Sequence, residues 1–89
     1  MITKEVTIIN KLGLHARAAA KLVSLAAKFD CDIQVAKEGR KVNGKSIMGV
    51  MMLAASKNST ITLFADGEDE QQAVAEIEQL VLERFGEEE

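Results

Sequence analysis

At 89 residues, 47% of them hydrophobic and 28% charged, the chain is long enough for one domain with a modest core and too short for a second. Its one cysteine, Cys31, excludes an internal disulfide and leaves nothing to complete a thiolate metal site, and no apolar run approaches the ~18–20 residues of a membrane span. The net charge of −3 conceals a division: residues 1–65 hold ten Lys and Arg against four acids, while residues 66–89 hold one Arg against ten.

Residues 2–9 alternate, with Ile2, Val6 and Ile8 on one face and Thr3, Glu5 and Thr7 on the other, the period of a half-buried strand. Residues 10–14 contain Asn and Gly and read as a loop. From Ala16 the alanines favour helix, with Ala19, Leu22, Ala26 and Phe29 as its inward stripe and Arg17, Lys21, Ser24 and Lys28 on its wet face. Cys31, Ile33 and Val35 alternate with Asp32 and Gln34 as a second strand, and Glu38-Gly39 reads as a tight turn into a short strand from Arg40 to Asn43. Ser46 suits an N-cap for a short helix over residues 47–54. Ile61, Leu63 and Ala65 then mark a fourth strand. Asp69 with Gln72 three residues on reads as a capping box, opening a last helix whose Ala73, Ile77, Leu80 or Val81, and Arg84 or Phe85 follow one face to Gly86. The acidic end Glu87-Glu88-Glu89 reads as solvated and frayed. The order βαββαβα, with hairpin signals and three one-sided helices, predicts a single α+β domain over residues 1–89: a two-layer sandwich with three helices on one face of a four-stranded antiparallel sheet.

His15, the only histidine, falls just before the first helix, at the N-cap. The amides of a helix's first turn have no carbonyl partner within the helix, and they attract anions. By itself, a lone His at such a junction is an ordinary solvated residue. Arg17 adds a second signal, because a cation in a first turn opposes the helix dipole by ~0.3–1 kcal/mol, a cost that makes sense where a dianion visits.

Asn10-Lys11-Leu12-Gly13-Leu14-His15-Ala16-Arg17 resembles the active-site signature of the HPr family, the histidine-containing phosphocarriers of the bacterial phosphoenolpyruvate-dependent phosphotransferase system. Val42-Asn43-Gly44-Lys45-Ser46-Ile47-Met48-Gly49 resembles that family's second segment, which carries a regulatory serine. The resemblance spans essentially the whole chain and implies an open-faced sandwich fold. It implies that His15 accepts a phosphoryl group on Nδ1 from enzyme I, charged by phosphoenolpyruvate, and passes it to IIA-type domains. The protein would then be a stoichiometric phosphohistidine carrier rather than a stand-alone enzyme. Arg17 would pair with the phosphoryl oxygens, and the backbone N–H groups of Ala16 and Arg17 would hold them. A specific HPr kinase/phosphorylase would modify Ser46. Many family members have Pro where this chain has Ala18, which predicts a slightly less rigid loop and leaves sugar-uptake and nitrogen-related branches both open.

Ile47, Met48, Met51 and Met52 belong to a two-turn helix that is apolar all round, so an adaptable docking surface is expected there, with Lys21 and Lys45 supplying charge toward an acidic partner protein. Nucleic acid is not expected, since only three Phe and no Tyr or Trp are available for base stacking. The opening Met1-Ile2-Thr3-Lys4-Glu5 is charged too early for a secretory signal, so a cytoplasmic monomer without metal or cofactor is expected. Two alternatives compete. Gly39-Arg40-Lys41-Val42-Asn43-Gly44-Lys45-Ser46 satisfies the phosphate-loop pattern GxxxxGK[ST], although a parallel sheet with long crossover helices does not fit in this length. A non-catalytic interaction module built on the Met-rich helix is the other.

Overall fold

Alternating apolar residues bury one face of a strand, as Ile33 and Val35 do in one strand of this chain and Ile61, Leu63 and Ala65 in another. The computed structural model describes residues 1–89, in the order β1 (Ile2–Thr7), α1 (Ala16–Ala26), β2 (Asp32–Lys37), β3 (Arg40–Asn43), α2 (Ile47–Met52), β4 (Thr60–Asp66) and α3 (Glu70–Leu82), with a 3₁₀ turn at Arg84–Gly86. The strands form one sheet in the order β1-β4-β2-β3, antiparallel at every pairing. Val6 lies opposite Ile61, and Leu63 opposite Val35, so the inward side chains meet in register. Together with the helices they enclose a core of 23 buried residues. The other face of the sheet stays open, with Lys41 Nζ 4.0 Å from the centre of the half-buried Phe64 ring.

α1 buries Ala18, Ala19, Leu22, Val23 and Ala26 and leaves Arg17, Lys21, Ser24 and Lys28 exposed, as its period requires. Burying Leu22 alone is worth about 1.5–3 kcal/mol. The β2–β3 turn puts Glu38 at φ 51° and Gly39 at φ 84°, the left-handed pair that suits a two-residue hairpin. Ser46 caps α2, its Oγ accepting from the Gly49 N–H at 3.1 Å. α2 is shorter than its apolar run, ending at Met52 because Ala54 turns left-handed at φ 49°. Arg40 and Lys37 then satisfy carbonyls at its C-terminal end.

The capping-box expectation needs correction. Asp69 does stand before α3 but caps nothing there, and Gln72 instead bonds Glu76 one turn along the helix. The Asp69 carboxylate accepts from the amides of Asp30 and Cys31, at 2.8 and 3.0 Å, and so ties the end of the α1–β2 connection to the start of α3. Those bonds, that of Asp30 foremost, hold its carboxyl below the usual carboxylate range. The buried face of α3 runs through Ala73, Val74, Ile77 and Val81 to Phe85, so Leu80 and Arg84 lie off its centre. The phosphate-loop pattern is not a phosphate loop. Residues 40–43 are a hairpin strand, the Gly44 N–H donates to Ile33 O at 2.8 Å, and Lys45 Nζ donates to Phe29 O at 2.7 Å. The amides and the lysine that would cradle a nucleotide are used inside the fold.

Candidate functional site

The loop before α1 is held rigidly. Gly13 sits at φ 67°, and a Cβ there would lie 2.4 Å from Ala55 O, so both torsion and space require glycine. Leu14 is buried, and its amide donates to Ala55 O at 2.8 Å. This anchoring delivers His15 to the N-cap of α1 in an extended conformation, φ −71° and ψ 177°. The Ala19 N–H donates to His15 O at 2.8 Å, closing the first helical turn. No side chain caps that turn, and no acidic residue lies in it. The first-turn amides, among them those of Ala16 and Arg17, therefore remain free of helical partners. Arg17 is exposed, and no carboxylate comes within ion-pair distance of its guanidinium.

His15 is half-buried, with 28% of its side chain exposed. Its Nε2 is hydrogen-bonded to Oε2 of Glu87, 72 residues further along the chain. The other oxygen of that carboxylate accepts from Asn10 Nδ2 at 3.0 Å, and the same Nδ2 donates to Gly13 O at 2.9 Å. The Asn10 bond first, then the His15 ring and the charge of Arg17, hold the Glu87 carboxyl below its usual range. Asn10 is fully buried and its Oδ1 has no partner. An unpaired buried oxygen costs about 1–3 kcal/mol, a cost that the two bonds of the amino group offset in part.

The acidic end is thus not frayed, and the last turn of the chain shows why. Arg84, Phe85 and Gly86 follow one another at φ 57°, 55° and 79°, which reverses the chain after α3. A left-handed Arg and Phe cost about 1–2 kcal/mol each. Full burial of the Phe85 ring returns about 1.5–3 kcal/mol, and Lys21 Nζ donates to Phe85 O at 2.6 Å. Further on, the Lys11 N–H donates to Glu89 O at 2.9 Å, and Lys11 Nζ lies 3.4 Å from the Glu89 carboxylate. The tail therefore helps to line a recess of about 650 Å³ beside His15, Ala16 and Arg17, together with Lys11 and Leu12. Sequence reasoning missed Asn10 and Glu87 as parts of this site. The only signal was a Phe-Gly pair placed to end a helix and turn the chain.

The expected docking residues separate into two groups. Ile47, Met48, Met51 and Met52 project from α2, with Met48 72% exposed, while Val50 and Leu53 fill the core. Lys21 and Lys45 instead have their amines committed to the carbonyls of Phe85 and Phe29. Ser46 has its hydroxyl engaged at the α2 N-terminus. Cys31 is buried, and loss of solvent pushes its thiol up to about 11. No group of His, Cys, Asp and Glu is arranged to hold a metal ion, and no helix is long and apolar enough to cross a membrane.

Residues 2–83 match the family model described as the PTS HPr component phosphorylation site. The chain is 55% identical over 87 residues to the phosphocarrier protein HPr of Cupriavidus necator, covering 98% of each chain. Among solved structures it superimposes on an HPr from Thermoanaerobacter tengcongensis with a TM-score of 0.96 at 45% identity, covering all of both chains. An HPr from Bacillus anthracis gives a TM-score of 0.85 at 41% identity, over 88% of this chain and 93% of that one.

Proposed function

The chain belongs to the HPr family of phosphocarrier proteins, and from that membership we propose that His15 carries a phosphoryl group from enzyme I, charged by phosphoenolpyruvate, to IIA-type acceptor domains. The observation that carries this reading is the open helix end: a solvent-reached ring stands at the N-cap of α1, beside uncapped first-turn amides and an unpaired guanidinium. In the transfer, a ring nitrogen lone pair attacks phosphorus while the donor's bond to phosphorus breaks and its electron pair leaves with the donor. The amides of Ala16 and Arg17 and the Arg17 side chain offset the charge on the phosphoryl oxygens. Positioning and charge compensation account for the catalysis, and the protein itself is modified and discharged once per cycle.

The Met-rich face of α2 serves as the docking surface, since flexible thioethers adapt to more than one partner. Lys21 and Lys45 contribute there through the ordering of neighbouring backbone, because their amines are already bound. Ser46 is the regulatory position. A phosphate added at its hydroxyl would place two negative charges beside the docking helix and repel an acidic partner.

The test is mass spectrometry of the intact protein after incubation with enzyme I and phosphoenolpyruvate. One acid-labile phosphoryl group is expected on the native chain and none on His15→Ala. An unchanged native mass in the presence of active donor refutes the reading.

A further inference from the structure

The carboxylate on the His15 ring is held there by four separate features of the fold. Three successive left-handed residues turn the tail back toward the loop, Phe85 is fully buried beneath that turn, Lys11 binds Glu89, and Asn10 is fully buried with its amino group on Glu87. Only 14% of the Glu87 side chain is exposed. An ionised carboxylate can only accept hydrogen bonds, so the ring nitrogen facing it must carry hydrogen. In a neutral imidazole that leaves the lone pair on the other nitrogen. We propose that Glu87, steadied by Asn10, is a positioning residue that fixes the Nε2–H tautomer of His15 and so makes Nδ1 the phosphoryl-accepting atom.

This inference rests on the carrier reading and adds to it the side chain that holds Nδ1 ready. During uptake the Nδ1 lone pair forms the N–P bond, the donor keeps the electron pair of the bond it loses, and the proton stays on Nε2. The phosphorylated ring is then cationic, and its charge faces Glu87. During discharge the N–P electron pair returns to Nδ1, and the ring leaves as neutral imidazole rather than as imidazolate. Glu87 thus works in both directions without itself exchanging a proton. It orients the ring in the way a buried carboxylate orients the histidine of a hydrolase triad.

Glu87→Gln makes a sharp test, because Asn10 Nδ2 is a donor and draws the glutamine oxygen to itself. The glutamine amino group then faces Nε2, which must be unprotonated to receive it, and the proton moves to Nδ1. The first measurement is ¹⁵N NMR of the His15 ring in the unphosphorylated full-length protein, at a pH where the ring is neutral. The native protein should show Nε2 protonated and Nδ1 bare. Glu87→Gln should shift the balance toward Nδ1–H, and Glu87→Asp should restore part of the native pattern. The second measurement is the rate of phosphoryl uptake from charged enzyme I, expected to fall about tenfold or more in Glu87→Gln, the order by which losing an orienting partner impairs a histidine. Native and variant circular dichroism should coincide. An unchanged tautomer in Glu87→Gln overturns the proposal, as does faster uptake, which would make the tail a cover over the site. A native protein that never accepts phosphate refutes the carrier reading instead, while the NMR result still decides the tautomer.

Discussion

The N-termini of α1 and α2 begin alike, each with an extended N-cap residue, yet they are finished in opposite ways. Ser46 turns its hydroxyl onto the Gly49 amide and satisfies one first-turn donor of α2. His15 makes no such bond, and its ring is turned to a carboxylate from the far end of the chain while the α1 amides stay open. A side-chain cap stabilises a helix end and takes one of its first-turn donors. An uncapped end gives up about 1 kcal/mol and keeps donors for an incoming anion. The difference leaves one helix start with all its first-turn donors free of side chains and the other with one of them already taken.

The largest effect should come from breaking the open end. His15→Ala is expected to abolish phosphoryl uptake, read as intact mass after reaction with charged enzyme I. Urea unfolding should move by less than about 1 kcal/mol, because the ring caps nothing. Gly13→Ala attacks the loop that delivers the ring. Its new Cβ would collide with Ala55 O in a left-handed conformation, and a loss of about 3 kcal/mol should appear in the urea midpoint.

Ser46→Ala probes the capped end. It should cost about 1 kcal/mol of unfolding free energy, the usual worth of a serine cap, while His15 remains a full phosphoryl acceptor. If Ser46→Ala also stopped uptake, the two ends would not be independent and the contrast between them would fail. The smallest effect concerns acid. The Glu87 carboxyl is lower in the folded chain than in the unfolded one, so its contribution is complete above the ordinary carboxylate pKa of about 4.3 and is lost as pH falls through the depressed folded value. Thermal melts of native protein and Glu87→Gln should therefore differ near neutral pH and converge in acid.

Much of the fold was legible because it is written in local spacing. The period of two in Ile61, Leu63 and Ala65, the Glu38-Gly39 turn and the two N-cap residues each carry their own short-range physics. Asp69 misled for the same reason. Three-residue spacing suggested a capping box, but its carboxylate found the amides of Asp30 and Cys31, which are distant in sequence and adjacent in space. The phosphate-loop pattern did not mislead, because the chain length and the hairpin signals already opposed it, and the Gly44 amide is in fact bonded to Ile33 O inside the fold.

By itself, the sequence determined which residues alternate, where helices start and that His15 precedes an alanine-rich helix, because those depend on neighbours within a few positions. Only the tertiary structure decided that a fully buried Asn10 and the carboxylate of Glu87 would meet the ring. That meeting requires α3 to end, three residues to turn left-handed and Phe85 to find the core. Hydrogen bonds between residues more than seventy positions apart have no periodicity to betray them; they exist only once burial of the core has brought the two ends of the chain together.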